Sequence, residues 1–436
     1  MFGQPARRRR YGEKAQVKIL YVSQYFPPEM GAPAARAAEL SRHWARDGHE
    51  VTVLTGFPNH PTGVVAPEYR RRLRRLVMRE KVEGVNVVRT WLLPFPNRKA
   101  HERMLNYGSF CVSAASTGLF VERPDVVIAT SPQLLVGLSG WWIAHWKRVP
   151  LVFEVRDLWP ESLAAVGVGD HKSTLHRSLA NIAGFLYRRS DRVVVVTPAF
   201  ADHLVERWQV PREKISIVEN GVETELFSPQ ASSDLRHELG ADGKFVVCYI
   251  GTMGMAHGLE TLVEAAAQLQ SVKPEVLFLL VGEGAEKERI QALSRSRGLT
   301  NLRFVDQQPR EKIPAYIRSS DACLVLLKKT DLFKTVIPTK MLEFMSCARP
   351  VILGVDGQAR KILDAAQAGI FVEPENVDDL VRAITRLAAD ASLRESLGRN
   401  GRRHILEHFS RRQTAKTYIE VLESLLDVDR RRLVAA

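Results

Sequence analysis

Residues 245–282 read FVVCYIGTMGMAHGLETLVEAAAQLQSVKPEVLFLLVG. The two ends, FVVCYIG and EVLFLLVG, are apolar runs that stop at glycine. Between them LETLVEAAAQLQ repeats its apolar residues at helical spacing. Strand, helix, strand in that order makes a parallel pair with a crossover helix, and a run apolar at every position belongs to a strand covered on both faces. Working outward, NLRFVDQ, ACLVLLK, RPVILG and GIFVEP extend the pattern, with VDDLVRAITRLAAD as a further helix. Upstream, VKILYVS, AARAAELSRHWARDG, HEVTVLTG, DVVIATS, VPLVFEV and DRVVVVT run through it once before. The sequence therefore predicts an α/β protein with two Rossmann-like, doubly wound domains facing a central cleft. Between the two series PREKISIVENGVETELFSPQASSD, residues 211–234, mixes turn residues with little periodicity. We place a basic tail at 1–16, an N-terminal domain at 17–215, a C-terminal domain at 216–405 and a final helical segment at 406–436.

A chain of 436 residues exceeds what one hydrophobic core serves, roughly 250 to 300 residues. Its content, 45% hydrophobic and 25% charged, is that of a globular protein. Cys111, Cys248, Cys323 and Cys347 are far apart and mostly inside apolar runs, which suits reduced thiols in a cytoplasmic protein better than a disulfide frame or a zinc site. The opening MFGQPARRRRYGEKAQ is basic but leads into no apolar segment, unlike a secretory signal. VVIATSPQLLVGLSGWWIAHW, residues 126–146, approaches the length of a membrane span, about 20 residues. Ser131-Pro132 divides it, so we read strand, turn and buried helix. The net charge of +13 asks for an anionic partner. No nucleic-acid-binding signature is present, so that partner is not expected to be nucleic acid. In YRRRLRRLVMREK, residues 69–81, Tyr69, Leu73 and Leu76 would share a helical stripe among arginines, suiting either an acidic membrane surface or a solvated basic loop.

Doubly wound sheets bind ligands beyond the carboxyl ends of their strands, so the strand-to-helix junctions carry the candidates. SQYFPPEMGAPAAR offers Gly31 and Arg36, and FPNHPTG offers His60. FEVRDLWPES packs Arg156, Asp157, Trp159 and Glu161 behind an apolar strand, where charged groups suit binding or acid/base work. In the second half YIGTMGMAHGLETL brings Gly251, Thr252, Gly254, His257 and Gly258 to a helix start, and VGEG repeats the theme with Gly282. Glycine there lets an anion approach backbone N–H groups. IPTKMLEF puts Pro338 at the first helical position with Thr339, Lys340 and Glu343 behind it. A cation in a first turn opposes the helix dipole by roughly 0.3 to 1 kcal/mol when exposed, and an anion against it reverses that sign. Lys340 and Glu343 either pair with each other or hold a diphosphate and the hydroxyls of a ribose, for which a carboxylate supplies acceptors only. The chain has neither a dinucleotide fingerprint nor an Asp-x-Asp pair at a suitable strand end.

The landmarks YFPPEMGAPAAR, GHEVTVLTGFPNHPTG, FEVRDLWPES, VENGVETELF, YIGTMGMAHGLETL, VGEG, IPTKMLEFMSCARPVI and GIFVEPENVDDL, in that order, resemble those of the family-four retaining glycosyltransferases of GT-B architecture. The nearest subgroup is that of bacterial O-antigen and capsule enzymes of the L-fucosamine transferase type. The resemblance implies a UDP-sugar as co-substrate in the C-terminal domain, held by Gly251, Thr252, Gly254, His257, Gly258, Gly282, Pro338, Thr339, Lys340 and Glu343. It implies a polyprenyl-diphosphate-linked saccharide acceptor near Gly31, Arg36, His60, Trp159 and Glu161. Lys340, Glu343, Asp157 and Arg156 would form the catalytic set, with no metal and no further cofactor. The final helix would cross back to the first domain, and the protein would sit peripherally on the cytoplasmic face of the inner membrane. Four positions depart from the family pattern: Thr335 stands where a glutamate is usual, Thr252 and His257 where a basic pair is usual, and Arg156 where a histidine is usual. A UDP-sugar epimerase of similar fold and a non-catalytic binder of lipid-linked sugars are the competing expectations.

Overall fold

The computed structural model describes residues 16–60, 63–72, 75–95, 100–161, 174–230 and 235–435; the expected basic tail and Leu73 lie outside them, except for Gln16. The first sheet contains β1 (Lys18–Val22), β2 (Glu50–Gly56), β3 (Val77–Val82), β4 (Val85–Thr90), β5 (Val126–Thr130), β6 (Leu151–Val155), β7 (Arg192–Val195) and β8 (Ile215–Ile217). Its spatial order is β3-β4-β2-β1-β5-β6-β7-β8, parallel except for the β3–β4 hairpin. The second contains β9 (Phe245–Ile250), β10 (Val276–Val281), β11 (Leu302–Val305), β12 (Ala322–Leu326), β13 (Val351–Gly354) and β14 (Gly369–Phe371). It is parallel throughout, in the order β11-β10-β9-β12-β13-β14. Strand order reverses between β1 and β5 and between β9 and β12, the two places where such sheets open a crevice.

Each apolar run read as a strand is one, and each sheet is buried on both faces. β3, β4 and β8 were not anticipated. β3, VMREKV, is half polar because it is an edge strand, so its sequence carries no continuous apolar run. This corrects the reading of residues 69–81 as one helical stripe: the helix there spans only Pro67–Arg70, and β3 follows. Tyr69 instead lies under the Arg89 guanidinium, 5.0 Å from ring centroid to Cζ. β8 carries the first sheet to Ile217, past the expected boundary after residue 215. The 126–146 stretch is β5, a turn and the helix Leu135–Lys147. No helix among the described residues is long and apolar enough to cross a membrane.

The chain ends in the helix Arg411–Ala435, which packs on the first domain. Its Ala415, Tyr418, Leu422 and Leu426 join the core beneath β1 and β2. Trp44 fixes the register, donating its indole N–H to Ala415 O at 3.0 Å and meeting Tyr418 edge-on at 5.2 Å. A second tie runs directly between the domains: the Thr197 hydroxyl donates to Thr335 O at 2.9 Å. Thr335, where the family pattern has a glutamate, thus serves the domain contact, and its own hydroxyl closes a turn onto Leu332 O at 2.6 Å.

Candidate functional site

The second sheet's switch point sets two glycine loops side by side. Gly251 follows β9 with φ +138° and Gly282 follows β10 with φ +147°. A Cβ at Gly282 would lie 2.0 Å from Gly251 O, so the two backbones touch. Gly282→Ala should therefore push the loops apart and lower the melting temperature measurably, with a matching loss of nucleotide binding in calorimetry. The Tyr249 hydroxyl donates to Thr252 O at 2.6 Å and pins the first loop from below. Gly258, in the left-handed region at φ +55°, ends the short turn Met255–His257 and leads into the helix Glu260–Val272.

Above these loops begins the helix Thr339–Ser346. Pro338 occupies its N-cap, not its first helical position; with φ −63° and ψ 120° it is still extended. Lys340 does not face water as a first-turn lysine ordinarily does. Its ammonium lies 4.1 Å from the Tyr249 ring centroid and over Gly251, where a Cβ would come within 2.9 Å of Nζ. Nζ is sealed from solvent and has no hydrogen-bond partner among the described residues. Burial pushes its pKa down to about 8, with the Glu343 charge opposing that shift. A desolvated cation held only by a ring face is a site waiting for an anion.

His257 cannot supply the missing second cation. Its Nδ1 lies 3.2 Å from Gly254 O, and a carbonyl only accepts, so Nδ1 carries the proton and Nε2 is a lone pair. Burial, with Lys340 nearby, pushes its pKa down to about 3, so the ring is neutral at physiological pH.

Glu343 is not paired with Lys340. Its Oε1 accepts from Arg310 Nη1 at 2.9 Å, while Arg310 Nε donates to Glu39 Oε1 at 2.9 Å. Glu39 Oε2 in turn accepts from Arg411 Nε at 2.7 Å. Four buried or half-buried charges from the first domain, the second domain and the crossing helix form one chain. Burial raises the Glu343 pKa and Arg310 counters it. Burial also opposes the charge on Arg310, but Glu343 and Glu39 together keep it firmly ionised.

In the first domain the structure corrects the role expected for Arg36. It is buried and its guanidinium is fully used: Nε and Nη2 bind Glu154 Oε1 at 3.1 and 2.8 Å, Nη1 binds Asn220 Oδ1 at 2.9 Å, and Nη2 also reaches Val218 O. It braces the fold beneath the cleft and presents nothing to an acceptor. Glu161 is likewise engaged, with Arg207 at 2.8 Å and His203 at 3.4 Å, and Trp159 packs against the core of the first domain. Arg156 keeps Nε and Nη1 buried without a partner, near the Glu154 charge. Asp157 is half-buried beside it, close enough for its charge to be felt at Tyr187. Gly31, at φ +121°, caps the helix Ala32–Arg46.

His60 packs against Tyr25 with ring centroids 4.7 Å apart and the planes tilted by 37°, and burial pushes its pKa down to about 4. Glu29 Oε1 accepts from the backbone N–H groups of Asn59 and His60, both at 2.9 Å, tying the loops after β1 and β2 together. Burial pushes Glu29 up to about 7 despite those bonds. Alongside runs an amide ladder: Gln24 Nε2 to Asn106 Oδ1 at 2.6 Å and Asn106 Nδ2 to Asn59 Oδ1 at 3.1 Å. Amides, a neutral imidazole and tyrosines make a wall suited to sugar hydroxyls. Among the described residues no group of three or more His, Cys, Asp or Glu is placed to hold a metal ion.

Arg310, Glu39, Arg411, Glu29 and Glu154 were not singled out in the sequence. Only Glu154 carried a signal, as an acid inside the apolar run VPLVFEV. Arg310 sits in QQPREKIP, where nothing distinguishes it from a surface arginine.

Residues 31–221 match the family described as "Glycosyl transferase 4-like domain", and residues 232–404 match "Glycosyl transferases group 1". The two matches together cover most of the chain, and its two-sheet architecture is that of GT-B glycosyltransferase structures. An Escherichia coli K12 protein named for glycosyl transfer in colanic acid biosynthesis, WcaI, is 26% identical over 84% of this chain and 91% of its own. Among solved structures, sucrose-phosphate synthase of Thermosynechococcus elongatus superposes with a TM-score of 0.75 at 22% identity, covering 94% of this chain and 99% of that one. Anabaena Alr3699/HepE in complex with UDP-glucose gives 0.70 at 18% identity, over 94% and 100%.

Proposed function

We propose that the protein transfers a sugar, with retention, from a UDP-sugar to a lipid-linked saccharide in the assembly of a surface polysaccharide. The observation that carries this reading is the unpartnered Lys340 ammonium, sealed between the Tyr249 ring and Gly251 at the start of a helix. A leaving diphosphate placed there would meet a cation, free helix N–H groups and a glycine loop at once. Support for the nucleotide comes from Alr3699/HepE, whose structure of the same fold holds UDP-glucose. Support for the setting comes from WcaI, named for colanic acid biosynthesis.

In this reading Glu343 accepts from the ribose, its position fixed by Arg310. The UDP departs as positive charge develops at the anomeric carbon, and Lys340 stabilises the charge gathering on the phosphate. The acceptor hydroxyl attacks from the same face and passes its proton to the departing phosphate oxygen. Neutral His257 offers Nε2 as an acceptor on the sugar side of the loop.

Calorimetry with UDP is the test. Glu343→Gln keeps the shape and weakens a charge-assisted bond, so UDP affinity should fall by about 1.5 to 3 kcal/mol. UDP that fails to bind the native chain would end the proposal. Product formation from a UDP-sugar and a polyprenyl-diphosphate sugar, with no epimerisation of the UDP-sugar alone, separates a transferase from an epimerase.

A further inference from the structure

We propose that the paired helices Ala100–Leu119 and Leu135–Lys147 form a face that lies flat on a lipid bilayer bearing anionic headgroups. The inference deepens, and rests on, the reading of the acceptor as lipid-linked. The two helices run side by side: Gly118 is closed against Ile143, where a Cβ would come within 2.3 Å of Cδ1. Their outward positions include His101, Ser116 and His145, but most are large apolar side chains. Leu105, Val112 and Leu119 recur at seven-residue spacing along one stripe, Phe120 continues it, and Trp142 and Trp146 stand one turn apart on the neighbour.

Exposure decides that this is not core. Phe120 is 80% exposed, Val112 61% and Trp146 60%. Single exposed apolar residues need no explanation, but six large ones gathered on two packed helices do. Tryptophan pairs, here with ring centroids 5.5 Å apart, suit the headgroup boundary, where one edge is wet and the other apolar.

Cations collar the same face and select the partner. Lys147 Nζ donates to Leu119 O and Val121 O, Arg123 Nε to Lys147 O, and Arg79 Nη2 to Phe120 O. Their charges are thus fixed beside the apolar stripe, and among the described residues none of them is paired with an acid. Glu122, next along the chain, is taken by Lys18. Arg79 belongs to the basic stretch 69–81, so that stretch contributes through a strand and not through a helix of its own.

The opposite side of the first helix explains what the contact is for. Asn106 bonds Gln24 and Asn59 in the amide ladder of the acceptor wall, one residue after Leu105 faces outward. A lipid-linked saccharide lying in the bilayer would have its sugar head at that wall while its chain stays in the membrane.

The test uses the full chain and sedimentation with phosphatidylcholine vesicles, with and without phosphatidylglycerol. The native chain should co-sediment with the acidic vesicles, be released by salt, and show tryptophan quenching by brominated lipid. The Trp142→Ser/Trp146→Ser double variant should bind the acidic vesicles at least about tenfold more weakly with its UDP affinity unchanged. Equal vesicle binding by native and variant chains would overturn the proposal, as would no vesicle binding by the native chain. So would a dimer of the native chain that the double variant dissolves, which would assign the face to a second copy. UDP binding without vesicle binding removes this face alone, whereas vesicle binding without UDP binding removes the transferase reading and leaves the face standing.

Discussion

Lys340→Met should lower kcat/KM by roughly two to three orders of magnitude while raising the melting temperature of the nucleotide-free protein. The two effects have one cause. The native ammonium is buried with no hydrogen-bond partner, and desolvation pushes its pKa down to about 8. A lysine depressed in the fold costs stability wherever it is charged. The cost is in full force below about pH 8 and is gone above its unfolded value. Replacing it with an apolar side chain of similar length removes a cost on the order of 3 kcal/mol at neutral pH. The same charge is what a diphosphate needs, so stability and turnover trade against each other. The sign of the pH dependence follows. A bound diphosphate favours the ammonium, so native UDP affinity should be full below about pH 8 and fall as pH rises through it, with proton uptake on binding near that pH. Lys340→Met should show neither. Scanning calorimetry and titrations in buffers of different ionisation enthalpy measure all of this. A variant that melts lower and keeps its turnover would remove Lys340 from the site.

The same residue shows how far the sequence could be read. A cation in the first turn of IPTKMLEF was legible as an anomaly, because helix electrostatics are local and one-dimensional. Its burial was not legible, since the Tyr249 ring and the Gly251 loop that enclose it come from a strand end some ninety residues away. The strands of both sheets were legible for a comparable reason: burial on both faces writes a continuous apolar run into the chain. β3 escaped because an edge strand carries no continuous apolar run, and the arginines just before it made the whole stretch read as a basic helix. Arg36 was misassigned because a junction position says where a side chain starts and not where it ends; Glu154, on β6, draws it under the floor of the cleft. Arg310 was silent because its meaning lies in two carboxylates from different domains, neither within reach along the sequence.

Arg310→Met should produce the largest loss of stability of any single change at the cleft. The native guanidinium holds Glu343 of the second domain and Glu39 of the first, with Arg411 of the crossing helix on the far side of Glu39. Removing one member of a buried ionic chain leaves charges without compensation, which costs about 3 to 5 kcal/mol. For domains of this size that is a fall of roughly 6 to 20 °C in melting temperature. The pH dependence identifies the cause. Burial already raises the Glu343 pKa and Arg310 is the main group that counters it, so the variant's carboxyl should titrate higher still. A carboxyl raised in the fold contributes most when protonated, in acid, and least as pH rises. The deficit of Arg310→Met should therefore be smallest in acid, where the carboxyl is protonated, and grow as pH rises, the reverse of ordinary acid lability. Adding Glu39→Gln, Glu343→Gln and Arg411→Met to Arg310→Met removes all four charges and should restore most of the melting temperature without restoring UDP affinity. Recovery of stability alone would mean that the ions are kept for the nucleotide and not for the fold, because a chain held together by these charges would not be mended by deleting all of them. A quadruple variant that melts as low as the single one would instead make Arg310 a packing residue, seated on the Phe227 ring at 4.9 Å, and would leave Glu343 without a demonstrated positioning partner.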